Sequence, residues 1–202
     1  MNVKRSKHTE RSEATRAALI AAARPLFAAR GFTGVGTEEI VRAAGVTRGA
    51  LYHQFRDKQD LFAAVFEQLE LEIAQRTGMA AAAAGTDDAL VELRVGAEAW
   101  LDACTEPEVQ RIVLLDGPAV LGWERWREID DAHFAGMTRA ALKAILPVGT
   151  DPERVAAATR LVLGAVMEAA LATGRAPEPD GVARYGEVLR DLLSGLVSPR
   201  TP

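Results

Sequence analysis

The stretch AGVTRGALYHQFRDK, residues 44–58, holds the side chains of this chain that are best suited to binding a polyanion. Arg48 carries a planar fork of donors that matches the O6 and N7 acceptors of guanine, and Gly49 lets the backbone come close to a ligand. Tyr52 offers a hydroxyl group to phosphate oxygens, and His53 follows it directly. A buried segment would not combine these residue types, so the stretch is predicted to face outwards.

Helical periodicity gives this stretch an inner and an outer side. At about 100° per residue, Leu51 and Phe55 fall close together, whereas Gly49 and His53 fall on the opposite side. The apolar pair is predicted to anchor the helix on its neighbours. The outer face is small near its start and polar further on, a shape that the major groove of DNA accepts.

Two short helices joined by a tight turn are predicted to position that face. A first helix covers residues 12–30, and Thr37 is predicted to cap a second helix that ends at Gly45. Only Gly45 and Val46 then precede Thr47, which is a capping residue for the helix that follows. This spacing is typical of a helix-turn-helix unit.

Further polar groups of this region are predicted to bind phosphate. Thr37 and Thr47 carry hydroxyl groups at helix starts, and Lys58 lies near the start of a fourth helix, where backbone amides already favour an anion. The complete set of predicted DNA-binding residues is Thr37, Thr47, Arg48, Gly49, Tyr52, His53 and Lys58.

The charge distribution supports a polyanion-binding end on a different body. The net charge of the whole chain is −4, but residues 1–60 hold 11 Lys and Arg against 6 Asp and Glu. The remaining residues hold 13 against 22. A basic segment over residues 1–60 and an acidic remainder indicate polyanion binding at the N-terminal end and a different function in the rest of the chain.

The rest of the chain is predicted to be helical throughout. Apolar residues make up 49% of the sequence, with Ala and Leu dominating, and the patterning gives nine helices and no convincing strand. The Asp-Gly-Pro sequence at 116–118 is predicted to break one helix, and the alanine run 80–84 is either helix or a flexible joint. The predicted domains are a helix-turn-helix domain over 1–57, with a basic N-terminal arm, and a helical body over 58–202.

Catalytic, metal and membrane functions find little support in the sequence. Cys104 is the only cysteine and there are three histidines, with no metal-ligand spacing, nucleophile elbow or phosphate loop. No catalytic residue, metal or cofactor is therefore predicted. No stretch approaches the roughly 18 uninterrupted apolar residues of a membrane span, so the expected location is the cytoplasm.

The segment ALIAAARPLFAARGFTGVGTEEIVRAAGVTRGALYHQFRDKQDLF resembles the DNA-binding domain of TetR-family (tetracycline-repressor-like) transcriptional regulators. The run GVTRGALYHQF, followed by Lys and then Leu-Phe, is specific for the family. The resemblance implies phosphate contacts at Thr37, Thr47, Tyr52 and Lys58 and groove readers at Arg48 and Gly49, with His53 at a position that contacts bases or backbone. Gln54 departs from the family pattern, which often has histidine there. The arm residues Lys4, Arg5, Lys7 and Arg11 either touch the minor groove or are disordered.

The resemblance also implies that the body dimerises and binds a small molecule. The segment 152–174 has small residues on several sides and the segment 180–197 supplies apolar area, so these two helices are the expected homodimer interface. Their key residues are Ala156, Ala157, Gly164, Ala165 and Ala169, then Val188, Leu189, Leu192, Leu193 and Leu196. The alternative is an ordinary monomer core.

An effector pocket is predicted around the long helix that contains GWERWREIDDAHFAGM. Its candidate lining residues are Trp100, Cys104, Trp123, Trp126, Asp130, His133, Phe134, Met137 and Met167. Aromatic residues and methionines at helical spacing are more often core, and Asp130 and His133 alternatively form a surface pair. The sequence thus predicts a homodimeric, ligand-responsive repressor that binds a palindromic double-stranded operator and is released by an unknown small molecule. The alternatives are a non-specific architectural DNA-binding protein and a small helical enzyme.

Overall fold

The computed structural model describes residues 7–175 and 181–197, and every regular element within them is helical. This confirms the all-α prediction. In chain order the helices are α1 (Lys7–Arg30), α2 (Thr37–Ala44), α3 (Arg48–Gln54), α4 (Lys58–Ala83), α5 (Ala89–Ala103), α6 (the consecutive segments Pro107–Val109, Gln110–Asp116 and Gly117–Leu121), α7 (Trp123–Ile145), α8 (Pro152–Arg175) and α9 (Gly181–Val197).

The chain divides into two compact units. Unit 1 comprises Met1–Leu69 and Pro107–Glu124, and unit 2 comprises Glu70–Glu106 and Arg125–Pro202. Helix α4 therefore contributes residues to both units. The functional boundary at 57/58 stays a prediction, because a division by contacts does not test a division of function.

Helix α1 supplies the core of unit 1 and packs against α2 and α3. Its residues Leu19, Ala23 and Phe27 are fully buried, as their helical spacing indicates. The rings of Phe27, Phe32 and Phe62 lie 5.3–6.0 Å apart, with the two contacts to Phe62 edge-on. These rings close the core beneath the connection between α1 and α2.

Polar contacts tie α6 to the α1 and α4 parts of unit 1. Arg24 donates two hydrogen bonds, each 2.8 Å, to the carboxylate of Glu108. The backbone N–H of Phe32 donates to Asp116 at 2.6 Å. The side chain of Gln59 donates to a backbone carbonyl of α6 at 2.7 Å. A charged pair held by two parallel bonds fixes orientation as well as distance, so α6 has a defined position on α1.

Two local predictions are wrong. The Asp-Gly-Pro sequence does not break its helix, because a wide π-helical turn over Gln110–Asp116 passes directly into the α-turn Gly117–Leu121. Pro118 lies at the start of that α-turn, where its missing N–H costs little. At α2 the capping position belongs to Gly36, whose backbone is extended, and Thr37 is the first helical residue.

The alanine run 80–84 largely continues α4, which extends to Ala83 and is followed by Gly85 with a φ of 61°. In unit 2, α9 packs against α5 and α8, and α8 also packs against α5. The segment Pro152–Thr173 of α8 is long and apolar enough by length and composition to cross a membrane, with 33% of its most apolar window buried. A core helix passes the same test, so this composition alone does not indicate a membrane.

Candidate nucleic-acid interface and internal cavity

Helix α3 is part of unit 1, with one side buried in the core of that unit and the other side exposed. Leu51 is 0% exposed and Phe55 is 2% exposed, and both belong to the core. Gly49, Tyr52 and His53 are exposed. The predicted inner and outer sides of this helix are therefore those of the structure.

The turn before α3 fixes the direction in which the helix emerges. Gly45 adopts a left-handed conformation with a φ of 66°, which glycine adopts without the steric cost of a Cβ atom. The N–H of Val46 donates to the Val41 carbonyl at 3.0 Å. Thr47 caps α3 as expected, since its side-chain oxygen accepts from the N–H of Ala50 at 3.2 Å.

Arg48 is exposed, and its guanidinium contacts other surface residues of unit 1. Its guanidinium donates to Glu38 at 2.9 Å and lies 5.6 Å from the centre of the Tyr52 ring. Hydrogen bonding and charge at Tyr52, then at Glu38, raise the pKa of Arg48 above its already high ordinary value. Arg48 therefore stays cationic, and an exposed pair of this kind opens at little cost when a stronger acceptor arrives.

Lys58 stabilises the connection between α1 and α2 in this structure. Its ammonium donates to the backbone carbonyls of Phe32 at 2.8 Å and Val35 at 2.9 Å, and lies 4.0 Å from the centre of the Phe32 ring. A lysine has three donors, and these two bonds use two of them. These two carbonyl partners lie 26 and 23 residues before Lys58, so the local sequence around Lys58 does not predict them.

The end of α3 and the start of α1 form a small crevice of about 300 Å³ that includes Arg11 and His53. Gln54 donates to the hydroxyl of Ser12 at 2.8 Å and so joins the two helices. Thr37 is half-buried, and Thr47 is exposed. Of the predicted arm, Lys4 and Arg5 lie outside the described residues.

Gly49 offers a test that separates folding from binding. A Cβ atom built there would meet only the Thr47 hydroxyl, at 3.8 Å, so nothing inside the fold requires glycine. We expect Gly49→Ala and Gly49→Leu to leave the free energy of unfolding unchanged or raised by no more than about 1 kcal/mol, because glycine is a poor helix former. DNA affinity should fall in the order Gly, Ala, Leu, because each added carbon holds the backbone further from the groove.

The matched control is Gly136→Ala, at a glycine of α7 that also has open space around it. This variant should gain similar helix stability and bind DNA unchanged. Equal DNA affinity across the three residues at position 49 would mean that the start of α3 does not approach the duplex.

Unit 2 contains a cavity of about 490 Å³ between α4, α5, α7 and α8. Five of the predicted pocket residues line it: Trp100, Asp130, Phe134, Met137 and Met167. The rings of Trp100 and Phe134 meet edge to face at 6.2 Å. A concave, mostly apolar space with a few polar groups is typical of a small-molecule site.

The other predicted pocket residues lie elsewhere. Cys104 and Trp126 are buried but do not line the cavity. His133, on α7, is half-buried and also outside the lining. Trp123 belongs to unit 1 and is largely exposed. Trp126 and His133 share one helical stripe of α7 with Asp130 and Met137, but only the latter two line the cavity.

Most of the lining consists of residues that sequence analysis did not single out. They are largely Ala and Gly from α4, α5 and α7, together with Thr77, Glu92, Thr138 and the aliphatic residues Leu93, Val162, Leu163 and Val166. The available signal was the recurrence of small residues at helical spacing, as in Ala140, Ala141 and Ala144. Small side chains leave volume empty when larger neighbours hold the helices apart.

Burial shifts the pKa values of Asp130 and of two other ionisable groups that interact with it electrostatically. Burial raises the pKa of Asp130 to about 6, against the opposing effect of Arg127, whose guanidinium lies 3.8 Å away. Burial also raises the pKa of Glu70 well above its ordinary value, and Asp130 adds to that rise. The pKa of the Cys104 thiol is likewise raised by burial, so it remains protonated.

Comparison with known proteins finds matches for both the helix-turn-helix part and the C-terminal helical part of the chain. Residues 19–65 match the family model for bacterial regulatory proteins of the tetR family, and residues 90–196 match that for the tetracyclin repressor-like C-terminal domain. The chain is 30% identical over 208 residues to the regulator TtgR of Pseudomonas putida, covering 96% of this chain and 94% of that protein. It is 34% identical over 136 residues to the regulator CymR, also of Pseudomonas putida, covering 66% and 67%.

Among solved structures, a TetR-family transcriptional regulator from Pectobacterium atrosepticum matches with a TM-score of 0.75 and 33% identity, covering 97% of this chain and 100% of that chain. An exposed helix-turn-helix unit together with a helical body that contains a cavity is typical of a helix-turn-helix transcriptional regulator. With family models over both halves, the chain belongs to the TetR family of transcriptional regulators.

Proposed function

We propose that this regulator is a homodimeric repressor that binds a palindromic operator through α3 and leaves it when a small molecule fills the cavity of unit 2. The observation that carries the proposal is the orientation of α3. Leu51 and Phe55 hold its inner side in the core, so the outer face around Gly49 and His53 is free to enter a major groove. Arg48 lies in the first turn of the helix, on the side of Phe55, where its length would let the guanidinium reach a base; it is the proposed base reader. The hydroxyl and ammonium groups of Thr37, Thr47, Tyr52 and Lys58 are the proposed phosphate contacts.

The exposed apolar sides of α8 and α9 support the homodimer. Leu161 is 74% exposed and Leu192 is 59% exposed, with Val188 and Tyr185 on the same side of α9 as Leu192. Gly164, one turn after Leu161, lets helices approach closely. A second copy placing the same two helices against them would bury this area in a four-helix interface, and twofold symmetry is what a palindromic operator requires.

The dimer residues named from the sequence divide between two roles. Leu189 and Leu193 are buried within the chain itself, as is Ala169, so they belong to the monomer core. Val188 and Leu192 remain available to a partner. The side chain of Leu196 lies outside the described residues.

Release by a ligand needs a difference in affinity between two arrangements of the dimer. Helix α4 contributes to both units and is continuous from Lys58 to Ala83, with Thr77 and Gly78 in the cavity lining. A ligand that binds one position of this helix more tightly would favour one distance between the two α3 helices of the dimer. Operator release follows when that spacing no longer matches successive major grooves.

The test is selection of bound fragments from the source genome, followed by a screen of small molecules for release. We expect a few strongly bound palindromic fragments that compete far better than random DNA, and at least one compound that releases them. Equal competition by random DNA would instead identify a non-specific architectural protein. Turnover of a compound on adding the purified protein would contradict the proposal that the chain is not an enzyme.

The proposed location of the protein is the cytoplasm, where a DNA-bound regulator meets the chromosome. A membrane has no role in this proposal, because the apolar character of α8 is used by the core and by the dimer. Fractionation of cells that produce the tagged protein checks this: it should be recovered with the soluble fraction and with nucleic acid, not with membranes.

A further inference from the structure

The polar side-chain groups of the described cavity lining are carboxylates, hydroxyls and the indole N–H of Trp100, and none of them is a cation. Its described lining includes the carboxylates of Asp130 and Glu92 and the hydroxyls of Thr77 and Thr138, and it contains no lysine, arginine or histidine. A ligand with a negative group would meet two carboxylates and no cation in this lining. A ligand with a positive, donor-rich group would meet the opposite charge.

One hydroxyl of the cavity lining and one carboxylate outside it are buried without the hydrogen-bond partners that such groups normally have. The Thr77 hydroxyl oxygen is buried with no hydrogen-bond partner, although its residue lines the cavity. Glu70, on α4, does not line the cavity, but it is 0% exposed, neither of its carboxylate oxygens has a hydrogen-bond partner, and Asp130 influences its pKa. Unsatisfied buried polar groups are costly, so a ligand donor that reaches the Thr77 hydroxyl is favoured.

Asp130 is the group best placed to meet a cation. It is 3% exposed and its residue lines the cavity. The only cation facing it in the described contacts is Arg127 at 3.8 Å, which also contacts Asp131 at 3.5 Å. The groups facing it from other helices are the acid Glu70 on α4 and the thiol Cys104 after α5, neither of which brings positive charge.

An aromatic pair stands beside this carboxylate. Phe134 is one helical turn after Asp130 on α7, and Trp100 of α5 meets it edge to face. Ring faces attract cations and accept flat apolar bodies, and the combination of rings with a carboxylate is a common way to bind an ammonium group.

We propose that the effector of this regulator is an aromatic or otherwise apolar amine that binds as a cation, with its nitrogen at Asp130 and its apolar body against Trp100 and Phe134. The inference rests on the proposed role of the cavity as the effector site. It goes beyond that role by naming the chemical class of the ligand.

The test compares three probes of one shape, naphthylmethylamine, naphthylmethanol and naphthoate, by calorimetric titration of the full-length protein. At about pH 7.5 the amine is a cation, the alcohol is neutral and the naphthoate is an anion. The amine should bind at least about 10-fold tighter than either of the others, the difference that one charge-assisted contact supplies. Asp130→Asn should abolish this preference while the alcohol binds as before.

Asp131→Asn is the matched control, because Asp131 also contacts Arg127 but does not line the cavity. It should retain the preference for the amine. Lowering the pH from about 7.5 to about 5 protonates Asp130, and so should weaken amine binding about 10-fold while leaving the alcohol unchanged. Circular dichroism at both pH values verifies that each variant is folded.

Each outcome decides one of the two claims. Equal binding of the three probes, preference for naphthoate, or no amine binding up to about 1 mM would overturn the amine assignment, even if the protein binds a palindromic operator. Amine binding that depends on Asp130, in a protein that selects no operator, would support the assignment and overturn the proposed function instead.

Discussion

Arg48→Ala is expected to remove most of the discrimination between operator and random DNA. A bidentate contact with guanine supplies about 1–3 kcal/mol of discrimination against the wrong base in each half-site. The contributions of the two half-sites bound by a dimer are roughly additive. Operator affinity should therefore fall about 30-fold to 10⁴-fold, whereas affinity for random DNA should fall by only a few-fold. The measurement is titration of a labelled operator and a scrambled duplex of equal length at one salt concentration.

The control for this variant removes the same charge nearby. Arg56 is exposed and pairs with Asp60 at 3.6 Å, just after α3. Arg56→Ala should weaken operator and random DNA alike, through the electrostatic attraction that all duplexes share. If Arg48→Ala behaves in the same way as Arg56→Ala, Arg48 is a charge contact and another group reads the sequence.

Leu161→Glu combined with Leu192→Glu is expected to dissociate the dimer. Each protomer would place two carboxylates in an apolar interface, where the partner's matching helices bring the same charges. Sedimentation should then show a monomer at micromolar concentration, with an unchanged helical circular dichroism signal because both side chains are exposed in the single chain. Operator affinity should fall about 10²-fold to 10⁴-fold, because the second head no longer binds as part of the same molecule.

Val148→Glu is the matched control for the dimer variant. Val148 is fully exposed in the connection between α7 and α8, so the same change of chemistry falls outside the proposed interface. It should remain dimeric and bind the operator normally. A double variant that stays dimeric, or a monomer that binds the operator with full affinity, would contradict the twofold arrangement.

The orientation of α3 could be predicted from sequence because it depends on local periodicity. Leu51 and Phe55 lie four residues apart, and a short helix with one apolar side has only one way to bury it. The turn at Gly45 and the cap at Thr47 are equally local. Fold class followed from the same signals, summed over the chain.

The partners of the proposed DNA contacts could not be predicted, because they come from elsewhere in the fold. Lys58 binds carbonyl groups more than twenty residues before it, and Arg48 pairs with Glu38 across the turn. Contacts at 84 residues' separation, such as that between Arg24 and Glu108, place α6 in unit 1. Nothing in the local pattern of either segment indicates such a pairing.

The cavity was predicted only in part, for a related reason. Large residues such as Trp100 and Phe134 mark a wall, and sequence analysis found them. The empty space exists because Ala and Gly on several helices have small side chains or none. The register of those helices decides which of these residues face inwards. The same register decides that Leu189 is core while Val188 is exposed.

The most direct test of the claim that α3 reads DNA as part of a twofold protein is methylation interference on a selected operator. Methyl groups at guanine N7 lie in the major groove, where an α3 helix would meet them. We expect two symmetric clusters of interfering guanines whose centres lie about 10–10.5 base pairs apart or at a multiple of that spacing, and we expect Arg48→Ala to abolish the interference at one guanine in each. A single cluster, or interference confined to minor-groove positions, would contradict the claim.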